Sequence, residues 1–167
     1  MYKSYKIIVF LILISFSFVT NADIQHYENL NRIEFDIYRN NNHIGKHTFS
    51  FKKLDGQLSV ESEINFEIKK LGITLYKYYV KGTEIYKNGE LIKFNSKTNQ
   101  NGKEKYVNMK LENGEYIIDG SSYKGRAPTN YLIGTWWNHS IVKSKAQISA
   151  VSGRIIKQKV TFLDKEI

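Results

Sequence analysis

Three Asn-Gly pairs, at residues 88–89, 101–102 and 113–114, constrain this chain more than any other feature of its sequence. Gly lacks a Cβ and Asn tolerates left-handed backbone, so an Asn-Gly pair suits the two central positions of a tight hairpin turn. Stretches of strand length separate the pairs, and such regular spacing is typical of an antiparallel meander. The segment from Gly72 to Ser121 is therefore predicted to be a run of hairpins around which the chain is organised.

Apolar and polar residues alternate in the segments on either side, which indicates further half-buried strands. The predicted strands are residues 32–38, 43–53, 57–69, 73–86, 90–98, 103–112, 115–119, 146–150 and 154–163. Residues 121–145 break the alternation and hold the sole proline and both tryptophans, so we predict a long loop there with one short helical turn. Strand after strand joined by short turns predicts an all-β fold.

The strand at residues 73–86 differs from the others because it is apolar on both faces. Ile73, Leu75 and Tyr79 share one face, and Tyr76, Tyr78 and Val80 share the other. Such a strand is either covered on both sides or lies in a strongly curled sheet. We therefore predict a single antiparallel meander that forms a strongly curled sheet or an open β-barrel, with the Trp-containing loop or short helix covering one side.

Residues 1–22 have the layout of a secretory signal peptide. Two lysines precede an apolar run from Ile7 to Val19, which is short for a membrane span, and the small residue Ala22 offers a cleavage site. An uncleaved N-terminal anchor is the alternative. We predict a single all-β domain at residues 23–167, periplasmic or secreted, which relies on its core because the chain has no cysteine for a disulfide.

The formal net charge is +9, but the densest basic clusters, Lys52-Lys53 and Lys69-Lys70, are only pairs. Nucleic-acid binding requires a focused basic patch, so no nucleic-acid partner is expected. A solvated, Lys-rich strand surface accounts for this distribution, and weak contact with an anionic membrane surface is the alternative. The sequence identifies no protein partner.

Catalytic signatures are absent from the sequence. It contains no G-x-S-x-G elbow, P-loop, dinucleotide fingerprint or His-Glu-x-x-His motif, and no cysteine. His43 and His47 lie four residues apart, which on a strand separates them by about 13 Å, too far for two ligands of one metal ion unless a bulge intervenes. We therefore predict neither an enzyme nor a bound cofactor or metal.

Six residues are candidates for a ligand site: His47, Tyr76, Tyr78, Glu84, Trp136 and Trp137. His47 lies among inward phenylalanines, where it is either a polar group of a binding cavity or a core histidine bonded to backbone. Glu84 shares the face of Tyr76 and Tyr78 and requires a partner such as His47 or a lysine, because an unpaired buried charge is costly. The aromatic residues form either the wall of a ligand site or, with the Trp loop as a plug, part of the core.

Four motifs carry a family resemblance. They are EFDIYRNNNHIGKHTFSF, INFEIKKLGITLYKYYVKGTEIYKNGELIKFNSKTNQNG, PTNYLIGTWWN and SAVSGRIIKQKV, in that order. From Arg32 onward the chain resembles a bacterial family of exported proteins, the domain-of-unknown-function family 6134. The resemblance implies an exported, periplasmic, all-β domain with no assigned activity and no catalytic residues. The family pattern continues for further strands where this sequence ends at Ile167, so either the final strands are absent here or this is a shortened version. An unpaired strand edge, open to aggregation or to a partner, is then expected.

Three hypotheses for function remain. The first is an exported β-domain that binds an apolar or amphipathic, lipid-like ligand, with the strand before Glu84 as the wall and the Trp136–Trp137 loop as the lid. The alternative is a protein-interaction module of cell-envelope assembly that uses an open strand edge or the Lys-rich face. The third is a hydrolase or isomerase, which requires His47 and Glu84 within hydrogen-bonding distance and open to a pocket.

Overall fold

The computed structural model describes residues 30–161, in which eleven strands and one 3-10 helix follow one another. The strands are β1 Arg32–Arg39, β2 Asn42–Leu54, β3 Gln57–Lys70, β4 Ile73–Lys87, β5 Glu90–Gln100, β6 Lys103–Glu112, β7 Glu115–Gly120, β8 Lys124–Pro128, β9 Leu132–Ile133, β10 Ala146–Ile148 and β11 Ile155–Lys157. The 3-10 helix, His139–Lys143, precedes β10. The all-β prediction is confirmed, whereas the predicted leader at residues 1–22 lies outside the described residues.

Strands β1 to β8 form one antiparallel sheet in which neighbours in sequence are neighbours in space. At each Asn-Gly pair both residues have left-handed backbone, with φ of 51°, 51° and 53° at Asn88, Asn101 and Asn113. The predicted meander and its turns are therefore confirmed. Strands β1 and β8 are the edges of this sheet and do not pair with each other. The sheet is thus open, and its strong curl stays a prediction.

The segment predicted as a loop, residues 121–145, contains two strands that the sequence pattern did not indicate. Strand β8 pairs antiparallel with β7, and its only buried side chain is Ala127. One small inward residue gives no apolar alternation, so the sequence pattern did not predict β8. At the C-terminal end, β10 and β11 are shorter than the predicted strands, and β11 ends at Lys157.

A second sheet of three strands, in the order β11-β10-β9, lies against the inner face of the large sheet. We call residues 131–158, which contain this sheet and the 3-10 helix, the cover segment. The ring centroid of Trp137 lies 5.5 Å from that of Phe51 and 5.7 Å from that of Tyr86, both on the large sheet. The Ser122 amide also donates a 2.9 Å hydrogen bond to the Ser152 carbonyl. The two sheets therefore share one hydrophobic core.

The β3–β4 hairpin extends beyond both neighbouring strands. Strand β2 pairs with β3 only as far as Phe66, and β5 pairs with β4 only from Tyr78 onward. We call residues 68–76, which pair only with each other, the hairpin tip. At this free end Ile73 is 66% exposed and Leu75 is 55% exposed. The predicted shared face of Ile73 and Leu75 is wrong, because the register shift at Leu75 sets Ile73 opposite Lys70, two residues from the inward Ile68. Within the described residues, this end of the hairpin is uncovered because it outruns its neighbouring strands.

Candidate functional site

A cavity of about 290 Å³ lies between the inner face of the large sheet and the cover segment. Strands β2, β3 and β4 form one wall, which includes Ile64 and Val80, and the cover segment forms the other, which includes Val151 and Ile156. Small-molecule sites in proteins span roughly 300–1,000 Å³ and are mostly apolar with a few polar groups. The cavity therefore has the composition of a ligand site and lies at the small end of the size range.

His47 lines this cavity from β2 and is half-buried. Its ring centroid lies 4.2 Å from that of Phe49 and 6.4 Å from that of Phe35. Desolvation lowers the pKa of its imidazole below the ordinary value of 6.5. Its side chain forms no hydrogen bond with any other residue of the described range 30–161. A neutral imidazole with one donor and one acceptor nitrogen therefore faces the cavity.

Glu84 is only 1% exposed and lies beneath the cavity wall, not on it. Its carboxylate accepts hydrogen bonds from Thr135 Oγ1 at 2.7 Å, from Trp137 Nε1 at 2.8 Å and from the Tyr86 hydroxyl. Burial raises the pKa of this carboxyl, and the three donors oppose that shift in part. The prediction that His47 or a lysine is the partner of Glu84 is therefore wrong. Three neutral donors satisfy the carboxylate, and two of them come from the cover segment.

Trp136 and Trp137, predicted together as a lid, face opposite ways. Trp137 is 5% exposed and belongs to the core, whereas Trp136 is 62% exposed and lines the cavity at its mouth. The backbone of Trp136 has a φ of 71°, in the left-handed region that a bulky residue rarely adopts. The hydrogen bonds of Thr135 and Trp137 to Glu84 hold both flanking residues in place. Glu84 therefore supports the strained conformation of Trp136 from below.

Tyr78 lines the cavity from β4, and two further aromatic side chains lead from it toward the hairpin tip. The ring centroid of Phe66 lies 5.2 Å from that of Tyr78 and 6.0 Å from that of Tyr76. The interplanar angles are 31° and 30°, respectively. Burial, with a smaller contribution from Tyr76, raises the pKa of Tyr78. We call Tyr78, Phe66 and Tyr76 the aromatic row. It joins the cavity to the free end of the hairpin.

Of the six predicted residues, the structure places His47, Tyr78 and Trp136 at one cavity, while Tyr76, Glu84 and Trp137 lie next to it or beneath it. Sequence reasoning missed Phe66 and Thr135. Phe66 shares the inward face of its strand, so alternation could have identified it. No pattern indicated Thr135, because its contact with Glu84 spans 51 residues of sequence.

A wider depression of about 700 Å³ lies on the opposite face of the large sheet. Tyr79, Lys81, Lys97, Tyr106 and Asn108 are among its lining residues. One layer of side chains from a single sheet bounds it, whereas two packed layers bound the inner cavity. Enclosure removes more ligand surface from water, so we place the candidate site at the inner cavity despite its smaller volume.

No group of three His, Cys, Asp or Glu side chains among residues 30–161 is arranged to hold a metal ion. Over the same range, no helix has the length and apolar character needed to cross a bilayer.

Comparison with known proteins gives one match. A family model described as a domain of unknown function (DUF6134) matches residues 35–167, which confirms the resemblance carried by the four sequence motifs. No curated protein and no solved structure matches the chain.

Proposed function

The chain belongs to the DUF6134 family, and we propose that it is an exported, periplasmic β-domain that binds an apolar or amphipathic, lipid-like ligand between its large sheet and cover segment. The observation that carries this proposal is a two-layered apolar cavity, open beside Trp136, into which His47 brings an imidazole without a hydrogen-bond partner among the described residues. The layout of residues 1–22 supports export.

The size of the cavity narrows the class of ligand. A volume of about 290 Å³ suits one apolar chain or ring system and is small for the two chains of a phospholipid. The aromatic row offers a continuation along Phe66 and Tyr76 for any part of a chain that the cavity does not hold. A strong curl of the large sheet, which we retain as part of the proposal, would wrap this row around such a chain. The His47 imidazole can hydrogen-bond a hydroxyl or carboxyl head group.

A fatty-acid titration tests the proposal. A fluorescent analogue of dodecanoic acid is expected to bind the protein saturably, and Val151→Phe, which fills the cavity, should weaken binding at least about ten-fold. Val142→Phe is the matched control because Val142 is exposed and lies away from the cavity. Both variants must keep the wild-type circular dichroism spectrum. Equal affinity of the Val151→Phe variant and the wild type would sink the proposal.

Native mass spectrometry identifies the natural ligand. The protein, purified from the cell envelope, is expected to carry a co-purifying small molecule that organic extraction removes. The Val151→Phe variant should carry less of it than the Val142→Phe variant.

The alternative function, an interaction module of cell-envelope assembly, has one observation in its favour. Strand β1 is an edge of the large sheet, and its Phe35 and Tyr38 are 55% and 61% exposed. A partner could add a strand there. A photo-crosslinking amino acid at residue 35 should then give a discrete adduct in intact cells, whereas one at residue 54, at a hairpin end, should not. Equal crosslinking at both positions would count against this alternative.

A further inference from the structure

The hairpin tip has a turn unlike the others in the large sheet. Six two-residue turns join the consecutive strands from β1 to β7, and in each turn both central residues have positive φ. Five of these turns begin with Asn or Asp, the residues that tolerate this backbone best. The remaining turn, between β3 and β4, begins with Leu71, which has a φ of 51° and a side chain that is 93% exposed. An apolar residue therefore occupies a position where it strains the backbone and gains no contact with the core.

The apolar surface continues from this turn along β4. Ile73 and Leu75 are mostly exposed, and a bulge at Leu75 interrupts the pairing of the tip, where Ile68 pairs with Tyr76 and Lys69 pairs with Thr74. Bulges commonly re-aim side chains at functional positions. Three large apolar side chains are thus exposed within five residues at a free end of the sheet, and exposed apolar surface of this kind marks a binding surface.

Basic residues surround this apolar end. Lys70 adjoins Leu71, and Glu67 at the base of the tip bonds to Lys69 at 3.0 Å and to Lys77 at 2.9 Å. Three lysines against one glutamate leave an excess of positive charge, in a chain whose formal net charge is +9. Apolar side chains ringed by lysines complement an anionic bilayer, which offers hydrocarbon below a negative surface.

The dimensions of the tip also fit a bilayer. From Tyr76 to the turn it reaches about 13 Å at the rise of a strand, whereas the headgroup layer on each side of a bilayer is roughly 5–7 Å thick. The apolar end therefore reaches hydrocarbon when Tyr76 stands at headgroup level, which is where tyrosine side chains are favoured.

We propose that the hairpin tip inserts Leu71, Ile73 and Leu75 into an anionic lipid bilayer and thereby brings the aromatic row to the membrane surface. The row then leads from the membrane to the cavity, so a lipid-like ligand can pass between them along Tyr76, Phe66 and Tyr78. This transfer rests on the proposed function. The membrane contact itself stands on the tip alone.

Vesicle co-sedimentation tests the membrane contact. The wild-type protein is expected to bind vesicles of phosphatidylethanolamine and phosphatidylglycerol, and to bind phosphatidylcholine vesicles more weakly. Leu71→Asn should lower the apparent affinity for the anionic vesicles at least about ten-fold. The same variant should melt at or above the wild-type temperature, because Asn-Gly is the pair that the other turns use.

Leu54→Asn is the matched control. Leu54 is 73% exposed and lies beside the β2–β3 turn, at the opposite end of β3 from the tip. Leu54→Asn removes an exposed leucine that lies away from the hairpin tip, so vesicle binding should be unchanged. The proposal is overturned if wild-type protein does not bind the anionic vesicles, or if Leu71→Asn binds them as well as Leu54→Asn does.

The two proposals fail separately. Leu71→Asn should still bind the free fluorescent fatty acid, and Val151→Phe should still bind vesicles, because the tip and the cavity are separate surfaces. If Val151→Phe abolishes vesicle binding while keeping its fold, the tip is not the membrane contact. If vesicle binding persists in a protein that binds no fatty acid, the tip proposal holds and the ligand proposal fails.

Discussion

At the scale of single residues, Glu84 and Thr98 are both polar and buried in the core, but only Glu84 has hydrogen-bond partners among the described residues. Glu84 receives three hydrogen bonds and links the large sheet to the cover segment. Thr98, which is 1% exposed, has a hydroxyl that finds no hydrogen-bond partner within the described residues. The first group stabilises the packing of two layers, and the second costs free energy because its desolvation is not compensated.

Two substitutions of Glu84 should separate the stabilisation from its hydrogen bonds from the destabilisation caused by burying its charge. Glu84→Ala leaves three buried donors unpaired, so we expect a loss of about 3–5 kcal/mol in the free energy of unfolding. Glu84→Gln keeps an acceptor oxygen and should lose less. Urea unfolding followed by circular dichroism measures both variants. A loss below about 1 kcal/mol for Glu84→Ala would contradict this view of the residue.

The raised pKa of Glu84 predicts a pH dependence with a defined sign. The folded protein favours the protonated carboxyl, so the contribution of Glu84 is greatest below its ordinary pKa of 4.5 and falls as the pH rises through the raised folded value. The stability advantage of wild type over Glu84→Gln should therefore shrink from about pH 4 to pH 8. Parallel stability curves for the two proteins over this range would show that the folded and unfolded pKa values are equal.

Thr98→Val should stabilise the protein by about 1–2 kcal/mol, because it removes a hydroxyl without a partner and keeps the shape of the side chain. Thr83→Val is the control, since Thr83 lies on the outer face of the neighbouring strand and is only half-buried. The control should change stability by less than about 0.5 kcal/mol. Thermal melts of the three proteins suffice, and a destabilised Thr98→Val would mean that the hydroxyl has a partner.

At the scale of elements, the hairpins differ in how they use special backbone positions. Most turns carry Asn-Gly or Asp-Gly and are built for geometry alone, whereas the Leu71-Gly72 turn carries an exposed leucine. Gly45 on β2 serves a different need. It lies at a bulge opposite Ile37, and β3 passes so close that no side chain fits. A bulge and a close approach of the neighbouring strand therefore both account for a glycine at this position.

Gly45→Ala should disrupt the β2–β3 pairing. A Cβ at this position would lie 2.1 Å from the Asn65 carbonyl oxygen and 2.5 Å from the Phe66 Cα, and backbone atoms of a paired strand cannot move aside cheaply. We expect a loss of about 3 kcal/mol or more in the free energy of unfolding. Gly114→Ala has open space but a φ of 78°, so its strain should cost only about 1–2 kcal/mol. Urea unfolding should rank the two in that order, and the reverse order would contradict the clash.

At the scale of the whole molecule, the two sheets share a core that includes Trp137, Phe51 and Tyr86. Neither layer buries its apolar face without the other, because the small sheet has only three short strands. The cavity exists only while both layers are packed together. Ligand binding should therefore stabilise the packed state, in proportion to the logarithm of ligand concentration.

The shared core predicts that the layers unfold together. In a Trp136→Phe variant, Trp137 is the sole tryptophan and reports on the cover segment, while far-UV circular dichroism reports on the large sheet. The two urea transitions should coincide, as a two-state protein requires. A fluorescence transition at lower urea than the circular dichroism transition would show that the cover segment detaches first. It would also contradict the prediction of a single domain.

The sequence by itself determined the meander, because turn chemistry and side-chain alternation are local. Asn-Gly pairs set the hairpins, and the alternation predicted β1 to β7 within two residues at each boundary. The same alternation placed His47 among the inward phenylalanines and Glu84 on the face of Tyr78. Only the tertiary structure decided the rest. The partners of Glu84 lie 51 and 53 residues away, and only the packing of the cover segment turns Trp137 inward and Trp136 outward. These contacts join distant parts of the chain, so no local pattern records them.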